Sequence, residues 1–161
     1  MTIKIASSGK KRVDDAVHEL MDTFGCNNMK VMIYFASTRY APDEISAAMQ
    51  SAFPETEIFG CSSAGEIAGG RMLKGALVAM AFDMDSILDI KIEVVENLRR
   101  KTDVREAFRS FERHFGEAAD EMKPSEYLGI VLVDGMSGQE ERLMDAVGDR
   151  TNVLFIGGSA S

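Results

Sequence analysis

The chain has 161 residues, 45% hydrophobic and 27% charged, a globular composition long enough to bury a core without disulfides or metals. Eighteen Lys and Arg against 26 Asp and Glu give a net charge of −8, and the densest basic run, Arg99-Arg100-Lys101, is too short to bind nucleic acid by phosphate neutralisation. Cys26 and Cys61 show no metal-ligand spacing and the apolar run 76–82 is too short for a bilayer, so zinc, a disulfide framework and a membrane span are not expected, and a reduced, soluble, cytoplasmic protein is.

Residues 1–6 alternate like a strand and lack the apolar core of a signal peptide. Val13, Ala16, Val17, Leu20, Met21 and Phe24 recur at helical spacing and predict an amphipathic helix over residues 10–24. Residues 31–35 form an apolar run with the look of a buried strand. Pro42 opens a second helix, with Ile45, Ala48, Met49 and Phe53 along one side. Glu57-Ile58-Phe59 then leads as a strand into a glycine-rich stretch, residues 60–70, that suggests no element of its own. A hairpin is expected next: residues 77–82 are apolar, Asp83-Met84-Asp85-Ser86 suit a turn, and Leu88, Ile90, Ile92 and Val94 alternate with polar residues.

Thr102 suits the cap of a long helix carrying Val104, Phe108, Phe111, Phe115 and Ala118. Residues 128–133 form another buried strand, and Ser137-Gly138-Gln139-Glu140 fits a capping box before Leu143, Met144 and Val147. Residues 153–156 close as a strand. No linker or shift in composition divides residues 1–161, which read as one domain.

Ile33-Tyr34-Phe35-Ala36-Ser37 aligns with Val131-Leu132-Val133-Asp134-Gly135, and each segment continues as helix, strand and Gly-x-Ser turn. The fold class expected is α/β: a mixed sheet with two βαβ units sharing one sheet, an inserted β-hairpin and helices packed on the sheet. Ligands of such sheets bind beyond the carboxyl ends of the strands, where both Gly-x-Ser turns fall.

Gly60-Cys61-Ser62-Ser63-Ala64-Gly65-Glu66 fails the phosphate-loop pattern because Glu66 stands where a lysine is needed. It also lacks the second glycine of a dinucleotide fingerprint and the last glycine of a nucleophile elbow. A turn of backbone N–H groups and hydroxyls remains, suited to a ligand carboxylate, with Glu66 to meet an amine; the plainer alternative makes Glu66 a cap on a backbone turn. Asp134, Gly157, Gly158 and Ser159 are expected opposite, completing the ligand site. A Cys61 nucleophile would need a histidine base, and His18 and His114 both suit structural positions better, so an enzyme is not expected. Met49, Met80 and Met144 fall on apolar faces and read as core filling rather than a soft-metal site.

The stretch Ile58-Phe59-Gly60-Cys61-Ser62-Ser63-Ala64-Gly65-Glu66-Ile67, followed by Ala76-Leu77-Val78, resembles the N-terminal region of FIST domains. Val133-Asp134-Gly135-Met136-Ser137-Gly138-Gln139-Glu140-Glu141 and Phe155-Ile156-Gly157-Gly158-Ser159-Ala160 are similar to that family's second signature. The resemblance implies an intracellular sensory domain that binds a small, amino-acid-like ligand and acts on a signalling output domain or protein, with self-association possible. It also implies that the chain stops before a C-terminal half. No cofactor is required. Two alternatives accompany it: a module that docks that half or a partner protein, and a haem-based gas sensor, for which His114 beside three phenylalanines is the one candidate ligand.

Overall fold

A computed structural model describes residues 2–25, 29–96, 98 and 101–160, with backbone alone at 101 and 102. Cys26, the Arg99-Arg100 pair and a Thr102 side-chain cap lie outside what is described. The chain divides into two compact units, Met1–Ile90 and Lys91–Ser161.

In the first unit the alternating start of the chain becomes β1 (Ile3–Ser8) and the helical repeat becomes α1 (Val13–Phe24). They are followed by β2 (Met29–Ser37), α2 (Pro42–Ala52), β3 (Glu57–Ser63), β4 (Glu66–Ala68), β5 (Arg71–Leu73) and β6 (Leu77–Asp83). The four-stranded sheet has the order β1-β6-β2-β3. β6 is antiparallel to both neighbours, and β2 and β3 are parallel, so β1, β2 and β3 all point the same way.

The apolar stripe of α1 (Ala16, Val17, Leu20, Phe24) meets Ile45 and Met49 of α2 over Met32, Tyr34, Ala36, Leu77, Ala79 and Ala81 of the sheet. Small residues on β6 let the helices come close to the strands, and Phe24 meets Phe53 edge-on at 6.0 Å between ring centroids. The opposite sheet face leaves Ile3, Ile5, Phe35 and Met80 exposed.

The expected hairpin is corrected. Residues 87–95 form no strand, because β1 and β2 already occupy both edges of β6 and leave none for a following arm. The hairpin lies within the glycine-rich stretch instead: β4 and β5 pair through Glu66–Leu73, Ile67–Met72 and Ala68–Arg71. Gly69 and Gly70, at φ +57° and +73°, supply the two left-handed residues that a tight two-residue connection needs.

The second unit contains α3 (Lys101–Phe115), β7 (Leu128–Asp134), a 3-10 turn (Gly135–Ser137), α4 (Glu140–Gly148) and β8 (Leu154–Ala160). Val104, Phe108, Ala119, Val133, Leu143 and Val147 form its core, with Phe155 tilted against Phe108 at 6.5 Å. β7 and β8 pair in parallel as a two-stranded sheet of their own. The βαβ pattern therefore holds twice, but not in one shared sheet: β2 is flanked by β6 and β3, and each unit closes its own core.

The capping box is not formed either. Ser137 is drawn into the 3-10 turn, whose start is capped by Asp134 Oδ1 accepting from the Met136 N–H at 2.9 Å. Gln139 takes the position before α4 without a side-chain cap, and Glu140 Oε1 accepts from Ser159 Oγ at 3.0 Å.

Register refines the internal alignment by one residue. Tyr34 lies opposite Gly60 and Ser37 opposite Ser63; Val131 lies opposite Gly157 and Asp134 opposite Ala160. The β2–α2–β3 module thus recurs with no insertion or deletion between its paired positions.

Candidate functional site

The carboxyl ends of β1, β2 and β3 share one edge of the first sheet, so the N-termini of α1 and α2 open there. Neither helix has a side-chain cap: Arg12 and Ala41 hold the cap positions and no side chain bonds the first-turn N–H groups. Helix starts of this kind favour negative charge. A groove of about 570 Å³ separates them, lined by Lys11, Arg12, Asp14, Arg39, Tyr40 and Glu44 among others.

The groove's rim is tied together. Arg39 Nη2 donates to Gly9 O at 2.9 Å, to Lys10 O, and to the Tyr40 hydroxyl at 2.8 Å. The Tyr40 hydroxyl donates in turn to Lys10 O at 2.6 Å, and the guanidinium lies 4.8 Å from the Tyr40 ring centre. One cation and one phenol thereby fix the β1–α1 connection against the β2–α2 connection.

The glycine-rich candidate residues are placed differently from the expected open turn. Gly60, Cys61, Ser62 and Ser63 belong to β3, opposite Tyr34, Phe35, Ala36 and Ser37. Only Ala64 and Gly65 lie between strands. Glu66 is 2% exposed, and its two oxygens are occupied: Oε1 accepts from Ser63 Oγ at 2.9 Å and Oε2 from the Ala76 N–H at 3.0 Å. The carboxylate therefore does not present itself to a ligand amine. It spans the connection from β3 to β6, because a buried backbone N–H needs an acceptor there. Ser62 makes no side-chain hydrogen bond among the described residues.

The remaining candidates, Asp134, Gly157, Gly158 and Ser159, belong to the second unit. Asp134 is engaged in its capping bond, and Gly157, Gly158 and Ser159 lie within β8 opposite Val131, Leu132 and Val133. A cavity of about 380 Å³ runs along the other edge of β7, bounded by Ile130–Asp134 on one side and by Glu93, Val95 and Leu98 on the other.

Comparison with known families finds a match. Residues 30–161 match the family model described as FIST N domain, a span that includes both Gly-x-Ser strands. The chain belongs to the FIST N domain family. That family is sensory and serves signal transduction; it is not an enzyme family. No curated protein matches the chain significantly.

Burial pushes the half-buried Cys61 thiol up from its ordinary pKa, and burial, then Cys61, does the same to the Tyr34 phenol. A raised thiol pKa lowers the thiolate fraction at neutral pH, so Cys61 is expected to react with iodoacetamide more slowly than free cysteine. Mass spectrometry over a time course checks this, and alkylation faster than free cysteine would restore a nucleophile.

His114 is exposed, its ring edge-on to Phe115 at 4.8 Å, and lines neither cavity described here. These surroundings do not fit a haem, which needs its axial ligand within an apolar pocket. Among the described residues no group of three or more His, Cys, Asp or Glu is placed to hold a metal ion, and no helix is long and apolar enough to cross a membrane.

Lys11, Arg12, Arg39, Tyr40 and Glu44 were not among the sequence candidates. Their signal was indirect: a basic residue and an alanine stand where helix caps are normally Ser, Thr, Asp or Asn.

Proposed function

We propose that this FIST N domain is a cytoplasmic sensory module that receives a small, amino-acid-like zwitterion at the carboxyl edge of its first sheet. The observation that carries this reading is the groove between two helix starts without side-chain caps, which mixes Lys11, Arg12 and Arg39 with Asp14 and Glu44. A ligand carboxylate is matched by the helix starts and by Lys11 and Arg12; a ligand ammonium is matched by Glu44 and Asp14. Arg39 and Tyr40 hold the groove's width, so occupancy bears on how the two connections sit and is passed to a signalling output domain or protein. Ser62 adds a hydroxyl at the same strand ends, while Glu66 acts from inside. Asp134 with Gly157, Gly158 and Ser159 marks the corresponding edge of the second unit as a second candidate.

Thermal shift with amino acids and their one-charge analogues tests this. A zwitterion at about 100 times its Kd stabilises by about 2.7 kcal/mol, a shift of roughly 5–10 °C. The matched amine and the matched carboxylic acid are expected to shift far less, and Arg12→Glu to remove the zwitterion's effect. Equal shifts from all three ligand types, or none from any, would set this reading aside.

One observation favours a second reading, a protein-docking module. Ile67 and Met72 lie directly opposite each other on the β4–β5 hairpin and are 74% and 73% exposed. Such a pair is a natural contact for a partner or a second copy. If it mediates self-association, I67S/M72S will shift sedimentation toward the monomer without lowering the melting temperature.

A further inference from the structure

Two strands of the first sheet have counterparts in the second unit. β7 and β8 repeat β2 and β3 in register, down to the paired positions given above. Ile90-Lys91-Ile92 repeats the Ile3-Lys4-Ile5 of β1 in sequence, without forming a strand. Glu93 accepts from Ser110 Oγ of α3 at 2.5 Å, which ties this segment to the helix that follows it. Val95, two residues on, packs against the second core. Among the described residues neither β1 nor β6 has a strand counterpart, and in the first unit it is β6 that lies directly beside β2.

The 380 Å³ cavity occupies that place. Its walls are Glu93 and Val95 on one side and Ile130–Asp134 on the other. The matching first-unit residues, Ile33–Ser37, are those that β6 covers: Ile33 pairs with Met80, Phe35 with Val78, Ala36 with Leu77, and the Ser37 N–H bonds Ala76 O at 2.8 Å. β7 pairs only with β8 among the described residues, so alternate N–H and C=O groups of its other edge face the cavity. An independent observation points the same way. Ser137 is among the residues lining this cavity, and its Oγ is shielded from solvent with no hydrogen-bond partner among the described residues.

We infer that the cavity along β7 is a slot for an added β-strand, filled by an extended apolar peptide segment antiparallel to β7. The occupant is apolar on both faces, because Val131 and Val133 face the helices and Ile130 and Leu132 the opposite side. It carries small residues toward the helices, as β6 does with Ala79 and Ala81. Main-chain bonds to β7 supply affinity, and alternate side chains supply selectivity. Its backbone also brings a polar partner to Ser137 Oγ. This inference is independent of the ligand groove in the first unit.

The probe is a synthetic peptide with the sequence of residues 76–83, flanked by lysines for solubility and added to the whole chain. Hydrogen exchange resolved by segment is expected to show tenfold or greater protection of amides within Ile130–Asp134. The same peptide with proline at the Ala79 position, which removes a ladder donor, is expected to give none. Protection that is absent, equal with the proline peptide, or confined to β1 or β3 overturns the inference. So does protection of Ile130–Asp134 that rises with protein concentration before any peptide is added, which would make a second copy the occupant.

Discussion

Gly60→Ala is expected to destabilise the first unit by about 3 kcal/mol, at the upper end of overpacking costs. A Cβ on residue 60 would lie 2.2 Å from Tyr34 O and 2.7 Å from two atoms of the Tyr34 ring. Neither can retreat easily. The carbonyl belongs to the central strand β2, and Tyr34 is 8% exposed within the core formed with α1 and α2. Against a typical total of about 5–15 kcal/mol, such a loss is large.

The same substitution at the repeated position, Gly157→Ala, should cost the second unit at least as much. Its Cβ would fall 1.7 Å from Val131 O, and Gly157 also has a φ of +155°, a conformation L residues rarely adopt. Gly158→Ala is the control, since nothing lies within 4 Å of its added Cβ; a change within about 0.5 kcal/mol is expected. Urea unfolding gives the size of each loss, and segment-resolved hydrogen exchange assigns it to a unit. Gly60→Ala and Gly157→Ala variants as stable as Gly158→Ala would contradict the close strand pairing in both repeats.

These two glycines show what could be read from the chain and what could not. Recurrence of strand, helix and Gly-x-Ser was legible as pattern, and so were α1, α2 and the parallel pairs, because each rests on local periodicity and a turn signal. Why the glycines are needed was not legible. They looked like turn residues, whereas Gly60 and Gly157 are strand residues kept bare by a facing carbonyl. Residues 88–94 failed for a related reason: alternation establishes that a segment could pair, not that an edge is free. With both sides of β6 taken, the pattern had no partner. The capping box failed because Asp134 competes for the same turn and captures Ser137 in a 3-10 turn before α4 begins. The groove between α1 and α2 depends on β6 separating β1 from β2, a long-range pairing to which no local window is sensitive.

Glu66→Leu is expected to cost about 3 kcal/mol, and its pattern of rescue separates a strut from a ligand group. The leucine would abandon the buried Ala76 N–H and the Ser63 hydroxyl together, and hydrogen bonds to a charged acceptor contribute about 1.5–3 kcal/mol. Glu66→Gln keeps a single carbonyl oxygen for the Ala76 N–H and should recover roughly half of the loss. Ser63→Ala removes one bond and is expected to cost about 1 kcal/mol. In a double-mutant cycle Ser63 and Glu66 should couple by about 1 kcal/mol, because they touch directly. A ligand group would behave in the opposite way: Glu66→Gln would leave the free protein's stability intact and abolish the ligand-induced shift. The geometry requires the first outcome, because both oxygens point into the protein and hold the start of β6 to the end of β3. That strut also sets the β4–β5 hairpin, since Glu66 is its first residue and pairs across to Leu73. Its loss should therefore raise hydrogen exchange over residues 66–73 before it affects α1, whose packing depends on Leu20 and Phe24 rather than on this carboxylate.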